Sequence, residues 1–222
     1  MNIFFISGTD TNVGKTEITC ALMRVISNQD KIVLGMKPIS AGVEKIREGY
    51  LNKDVDKIMN AASFPYDVLK VNSYSFDEPI APHIAADKVN CTIDFNLIQN
   101  NLNQIKEKAD YVFIEGAGGH EVPLDKTRTM ADLVTRLDIP IILVVGIRLG
   151  CINHSILTIK SILNRKQKLF GWVANCIDKD MSEIDKNISY LKEKIPAPLI
   201  GIVPYQENID TEIISSFLVW PN

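Results

Sequence analysis

Ile3-Phe4-Phe5-Ile6-Ser7-Gly8-Thr9-Asp10-Thr11-Asn12-Val13-Gly14-Lys15-Thr16 decides the fold. Ile3 to Ile6 is an unbroken apolar segment, the pattern of a strand buried on both faces of a parallel sheet. After Thr16, the residues Ile18, Ala21, Leu22, Val25 and Ile26 recur at helical spacing. A strand, a turn ending in Gly-Lys-Thr and a helix make a phosphate-binding loop, in which backbone N–H groups and the positive end of the helix face the phosphates. In such a loop Lys15 reaches the β- and γ-phosphates and the Thr16 hydroxyl coordinates Mg²⁺. Gly8 and Gly14 enclose five residues where the usual pattern has four, and Thr9 stands where the first Gly would be.

Working outward, apolar strands and amphipathic helices alternate along the whole chain. Lys31 to Met36 reads as a second strand that delivers Lys37-Pro38, and residues 39–53 read as a surface loop. Asp54 opens a short helix, and the stretch from Phe64 to Pro82 is irregular, with Pro65, Pro79 and Pro82 as punctuation. Asp94 is placed to cap a helix whose face is Phe95, Ile98, Leu102 and Ile105. Strands follow at Tyr111–Ile114, Pro140–Val145, Leu169–Ala174 and Leu199–Val203, with helices over 130–137, from 152 to 163, and from a Ser182 cap to Ile195. The pattern is that of an α/β fold with a doubly wound, mainly parallel sheet and helices on both faces, in a single domain over residues 1–222.

Bulk properties exclude several classes. A chain of 222 residues with 46% hydrophobic and 23% charged residues can bury a sizeable core. Its net charge of −3 and scattered Lys/Arg pairs give no nucleic-acid footprint. Its longest apolar run, Ile139 to Val145, is too short to span a bilayer. Cys20, Cys91, Cys151 and Cys176 show no paired spacing, so four reduced thiols in a cytoplasmic protein are expected.

The chemistry lies at the strand ends. Lys15-Thr16, Lys37, Glu115-Gly116, Gly146 and Asn175 each follow an apolar strand, and in an open parallel sheet such positions converge on one crevice. A carboxylate at Glu115 beside a triphosphate would be repelled unless a hard divalent cation lay between them. From the residues alone, Asp54 is either a second metal ligand or simply a helix-opening Asp. Lys37 is either a solvated loop charge or a cation aimed at a transferring phosphoryl group. His83, His120 and His154 have no metal-ligand spacing.

The longer glycine spacing resembles the loops of the MinD-like P-loop ATPases. Nearly the whole chain resembles the dethiobiotin synthetase family. The likeness is carried by Gly-Thr-Asp-Thr-x-Val-Gly-Lys-Thr at 8–16, Lys-Pro-x-x-x-Gly at 37–42, Asp54 and Glu-Pro-x-x-Pro-His at 78–83. It continues in the Glu-Gly-Ala-Gly-Gly run within 113–119, Val-Val-Gly-x-x-Leu-Gly-Cys-Ile-Asn-His at 144–154, Gly-Trp-Val-Ala-Asn at 171–175 and Ile-Pro-Ala-Pro-Leu-x-Gly at 195–201.

The resemblance implies a homodimer of seven-stranded subunits with shared active sites, and an ATP-dependent cyclo-ligase that carboxylates 7,8-diaminononanoate with CO₂ and closes a ureido ring. It implies Mg²⁺ on Thr16, Asp54 and Glu115, with Lys15 and Lys37 as the catalytic cations. Nucleotide is expected on Asn12, Val13, Gly14, Lys15, Thr16, Glu17 and Asp54, on Glu115, Gly116, Ala117 and Gly118, and, at the base, on Asn175, Cys176, Pro204, Tyr205 and Gln206. The diamine is expected on Thr11, Lys37 and Ala41, and its tail carboxylate on Gly150, Cys151 and Asn153 of a partner subunit. Three positions depart from the family pattern: Asn12 for Glu, Ala41 for a Ser or Thr that would bond substrate, and Arg148 for Lys. A rival reading is a MinD/ParA-like ATPase switch that recruits a partner. Its signature lysine, five residues before the loop lysine, is here Asp10.

Overall fold

The computed structural model describes residues 2–46 and 49–221. In chain order the elements are β1 (Asn2–Gly8), α1 (Lys15–Ser27), β2 (Val33–Met36), β3 (Ile39–Ala41), β4 (Glu44–Ile46), β5 (Gly49–Leu51), α2 (Lys53–Asn60), α3 (Val68–Val71), β6 (Tyr74–Phe76) and α4 (Pro82–Lys88). There follow α5 (Phe95–Lys106), β7 (Tyr111–Glu115), α6 (Met130–Leu137), β8 (Ile141–Ile147), α7 (Cys151–Asn164), β9 (Leu169–Cys176), α8 (Ile184–Lys194), β10 (Leu199–Val203) and α9 (Thr211–Ser216).

The main sheet is parallel in every pairing, in the order β10-β9-β8-β1-β7-β2. Alternate residues of each strand enter different cores, as the two-residue period of a strand requires. Phe4, Ile6, Phe113, Ile142, Val144 and Val173 pack with α1, α2 and α9 on one face. On the other face Phe5, Leu34, Val112 and Ile114 meet α5 and α6, while Leu143, Val145, Trp172 and Ala174 meet α7 and α8. This is the doubly wound arrangement, with crossovers leaving β1 in opposite directions, and it puts the carboxyl ends of β1, β2, β7, β8 and β9 along one edge.

The sheet has six strands among the described residues, not the seven expected. The ladder of β2 against β7 stops at Met36. Lys37 turns its N–H to the Val71 carbonyl at 3.0 Å, and Pro38 has no N–H with which to continue a ladder. The chain therefore leaves the sheet, and β3 pairs instead with β6 in a two-stranded parallel sheet of its own. The predicted loop over 39–53 thus contains β3 and the β4–β5 hairpin; Arg47 and Glu48 lie outside the described residues. Likewise the stretch from Phe64 to Pro82 contains α3 and β6.

The caps follow local chemistry. Asp94 accepts the Asn96 N–H at 2.8 Å, as expected of a cap for α5. Thr129 and Asp132 form a capping box on α6. Ser182 does not cap α8: Glu183 takes that place in a left-handed conformation with no side-chain bond. Both sheet edges are covered. The Tyr66 hydroxyl accepts the Gly35 N–H at 3.0 Å beside β2. Beside β10, Leu218 bridges Gly201 and the Val219 N–H reaches the Ile200 carbonyl at 2.9 Å. A Cβ at Gly201 would lie 2.3 Å from the Phe217 carbonyl, so this close approach needs glycine. No helix of the described residues is long and apolar enough to cross a membrane. All four cysteines are free.

At the end of the sheet opposite the carboxyl edge, Trp220 stands edge-on to Phe4 at 5.0 Å and to Phe113 and Tyr111 at 5.8 Å, and lies against Phe170 at 5.3 Å. Trp220→Ala is expected to cost up to about 3 kcal/mol in chemical denaturation, the low end for a large aromatic, because Trp220 is only partly buried. Nucleotide affinity should be unchanged, because the site is at the other end; a parallel loss of affinity would contradict this separation.

Candidate active site

The phosphate loop is braced from three strands. Gly8 ends β1, and the Thr9 N–H donates to the Val144 carbonyl at 3.0 Å on β8. Asn12 has φ 57° and Gly14 φ 84°. A Cβ at Gly14 would fall 2.2 Å from Asn175 Nδ2, which donates to the Val13 carbonyl at 2.9 Å. Gly14 is the N-cap of α1 and no side chain bonds that helix end, so its first N–H groups face the cleft. Lys15 curls back to the Asp10 carbonyl at 3.0 Å. Burial lowers its ammonium to about 8, with Glu115 opposing the shift and Lys37 adding to it. A phosphate beside it would favour the charged form.

Next to the loop lies a buried charge cluster. Glu115 ends β7 and is 1% exposed. Its Oε1 accepts the Thr16 hydroxyl at 2.8 Å and the Lys37 ammonium at 2.5 Å. Its Oε2 is buried with no protein partner. Lys37 also donates to Asp54 Oδ2 at 2.7 Å. Burial opposes the charge on Lys37, but the Glu115 and Asp54 carboxylates outweigh it and hold the ammonium above the usual lysine range. For Asp54 burial is likewise outweighed, by Lys37, and its carboxyl sits below the usual range. Asp54 is therefore more than a helix-opening residue. Asn52, two residues earlier, is the N-cap of α2.

Three clefts run together over this edge, with Thr11 and Asn12 in all of them. The middle one, about 310 Å³, is lined by Lys15, Thr16, Glu17, Lys37, Asp54 and Glu115. On one side a cleft of about 500 Å³ is walled by Ser40, Ala41, Ala117 and Pro79 to Pro82, and shares Lys37 and Gly118 with the middle one. On the other a cleft of about 630 Å³ is lined by Arg148, Ile177 to Asp180 and Tyr205. Gly116 is forced by closeness, since a Cβ there would be 2.9 Å from the Phe5 ring, and Gly118 has φ 65°.

Other expected residues are placed differently. The Cys176 side chain is buried in the core against α8, so only its backbone is left for a ligand. Pro204 and Tyr205 are exposed beyond β10, with Gln206 beside them. Glu17 is paired with Lys57. Gly150, Cys151 and Asn153 lie at the start of α7, which begins at Cys151 rather than 152, and they line none of the three clefts. Gly150 has φ 93° and caps α7 without a side-chain bond. The Ser40 hydroxyl, one place before Ala41, is bonded to Asn72 Oδ1 at 3.1 Å.

Among the described residues no three His, Cys, Asp or Glu side chains form a metal cluster by themselves. The donors at hand are two carboxylates gathered at one ammonium and a hydroxyl bonded to one of them, with the buried Glu115 Oε2 left over. Such a set fits Mg²⁺ when phosphate oxygens and water complete the shell, as is usual for that ion.

The fold and loop define a P-loop ATPase. Among solved structures, the MinD cell division protein of Aquifex aeolicus is similar with TM-score 0.56 at 19% identity, covering 97% of this chain and 87% of that one. A ParA family ATPase from Chlorobium tepidum is similar with TM-score 0.52 at 14% identity, covering 93% and 84%. At these identities the likeness is one of fold. The family model described as AAA domain matches residues 2–212. The ATP-dependent dethiobiotin synthetase BioD of Aromatoleum aromaticum is 41% identical over 98% of this chain and 97% of its own length. Its counterpart from Nitrosospira multiformis is 42% identical over 97% and 93%, and BioD 1 of Escherichia coli O157:H7 is 40% identical over 91% and 90%. The chain belongs to the ATP-dependent dethiobiotin synthetase family.

The charge cluster makes a thermodynamic prediction. Lys37→Met leaves Glu115 buried without its cation and should cost about 3–5 kcal/mol. Adding Glu115→Gln should recover more than half of that loss, because the uncompensated charge is gone. Strict additivity of the two substitutions in urea denaturation would show that the pair is not coupled.

Proposed function

We propose that the chain makes dethiobiotin from 7,8-diaminononanoate, CO₂ and ATP, with the diamine in the 500 Å³ cleft and the triphosphate in the 310 Å³ cleft. The observation that carries this reading is Lys37, a buried ammonium common to both clefts. One amine adds to CO₂ and loses a proton, giving a carbamate. A carbamate oxygen attacks the γ-phosphorus and ADP leaves. The second amine then attacks the carbonyl carbon, expels phosphate and closes the ureido ring.

Charge builds up on transferring oxygens at each stage, and fixed cations in a dry site stabilise it best. Lys15 serves the β- and γ-phosphates from the loop. Lys37 turns from Asp54 and Glu115 toward the carbamate and γ-phosphate. Thr16, Asp54 and Glu115 would hold Mg²⁺, which neutralises phosphate charge when bound. Thr11 stands where the clefts meet and orients the diamine. Ala41 offers this substrate no side-chain hydrogen bond, which leaves the cleft wall to act by shape.

The base lies toward Asn175, Tyr205 and Gln206, beyond the Asp10–Arg148 ion pair at 2.5 Å. That pair places an acid, not a lysine, at the position a MinD-type switch uses. The uncapped start of α7 at Gly150 to Asn153 suits the tail carboxylate, since helix N-termini bind anions through free N–H groups. Its absence from this chain's own clefts, and the exposed Leu149 and Leu157 beside it, support a homodimer in which each subunit lends that helix start to its neighbour. Free thiols and the net charge of −3 support a cytoplasmic enzyme without a nucleic-acid or membrane partner.

ATP turnover should depend on both the diamine and bicarbonate, with one dethiobiotin formed per ADP and phosphate; ATPase activity indifferent to the diamine would favour the switch. Lys15→Ala and Lys37→Ala should each lower turnover at least ~100-fold.

Sharing of sites has its own test. A Lys37→Ala chain is mixed with one carrying a disrupted 150–153 segment, each nearly inactive alone. Random exchange should restore up to about a quarter of wild-type activity, since half the dimers then hold one intact site. Proven exchange without recovery would put the carboxylate site within one chain.

A further inference from the structure

One buried side chain outside the expected set has every hydrogen-bonding position filled. Asn52 is 6% exposed. Its Oδ1 accepts the Asp54 N–H at 3.0 Å and the Val55 N–H at 3.4 Å, capping α2. Its Nδ2 donates to the Ala41 carbonyl at 3.1 Å and the Gly42 carbonyl at 2.7 Å. A primary amide has two donors and two lone pairs, so none is idle.

These partners belong to two walls of the site. Ala41 lines the 500 Å³ cleft, at the end of β3. Asp54, in the first turn of α2, binds the Lys37 ammonium at 2.7 Å. Lys37 lies just upstream of Ala41 on the same chain segment. The result is a closed ring. It runs from the Lys37 backbone through β3 to Ala41, across the Asn52 amide to the Asp54 N–H, and back through the Asp54 carboxylate to the Lys37 ammonium. Apart from the ion pair itself, the Asn52 amide is the noncovalent link that closes this ring, next to the β4–β5 ladder that pairs Glu44 with Leu51.

We propose that Asn52 is a positioning residue that fixes the distance between the wall at Ala41 and the Lys37–Asp54 charges, and so registers the diamine to the phosphate being transferred. The proposal rests on the diamine occupying that cleft. No other side chain does both tasks. Asp and Ser cap helices well, but Asp has no donor, and Ser has one on a shorter arm. Gln is a methylene too long.

Asn52→Ser and Asn52→Asp keep the cap and lose the ties to Ala41 and Gly42; Asn52→Ala loses both. The diamine dissociation constant is measured by calorimetry in the presence of Mg²⁺ and a non-hydrolysable ATP analogue, below each variant's melting transition. All three should bind the diamine about tenfold more weakly or worse, on the scale of a small misplacement of the site. Affinity for the ATP analogue alone should change less than about threefold in the Ser variant. Hydrogen exchange should rise at 41–44 in the Ser and Asp variants while α2 stays protected. Lower melting temperatures with diamine affinity near wild type would overturn the proposal, as would equal losses of diamine and nucleotide affinity in the Ser variant. A wild-type protein that neither binds the diamine nor forms dethiobiotin would overturn the proposed function, an outcome separate from wild-type turnover with unaffected variants.

Discussion

A lysine ammonium buried between two carboxylates ties the ends of two neighbouring strands to a helix outside the sheet. Lys37 comes from the end of β2, Glu115 from the end of β7 and Asp54 from the first turn of α2. Removing an ion pair from water is costly, and attraction balances the cost only when geometry is good and the other polar atoms are satisfied. Here one carboxylate oxygen, Glu115 Oε2, is left without a protein partner. The cluster is held together yet incompletely satisfied, a state suited to a site that must exchange partners when an anionic ligand arrives.

The neighbouring backbone is shaped to make that exchange local. Asn12 and Gly14 carry positive φ, a conformation that asparagine and glycine adopt more readily than other residues. Asparagine at 12 therefore suits the turn sterically where the family pattern has Glu. The Thr9–Val144 and Val13–Asn175 bonds fasten the loop to β8 and β9, so its backbone is held by groups outside the charge cluster beneath it. Asn72 extends the same bracing to the other lysine: its Nδ2 donates to the Lys37 carbonyl at 2.7 Å.

What was legible in the sequence follows from how far each residue's partners lie along the chain. Strands buried on both faces declare themselves as apolar runs, and β1, β7, β8, β9 and β10 were read within a few residues. β3 and β6 were missed because three-residue strands have no periodicity; Ile39–Ala41 is a strand only because Tyr74–Phe76 is beside it. Lys15, Thr16, Lys37 and Glu115 could be picked out because each follows an apolar strand. From the residues alone Asp54 could equally be a helix-opening Asp, and the Lys37 contact is what places it in the cluster. Asn52 carried a weak local signal, an Asn just before a helix, but its ties to Ala41 and Gly42 span a hairpin and leave no trace in sequence. Cys176 shows the reverse error: the position is at the strand end as expected, while the two-residue alternation points its side chain into the core.

The central place of β1 has a consequence for how the molecule is made. Its two neighbours are paired through Ile6↔Glu115 and Gly8↔Val144, separations of 109 and 136 residues (115 − 6 and 144 − 8). A chain emerging from the ribosome therefore carries an apolar strand without its sheet neighbours until β7, residues 111–115, has been synthesised. Distant parallel pairings form slowly and leave such segments exposed to aggregation meanwhile. Nucleotide cannot act as an early folding template either, because the last brace of the phosphate loop is Asn175. It can only stabilise chains that have already assembled the sheet, so in cells ATP would reward the finished fold without helping to start it.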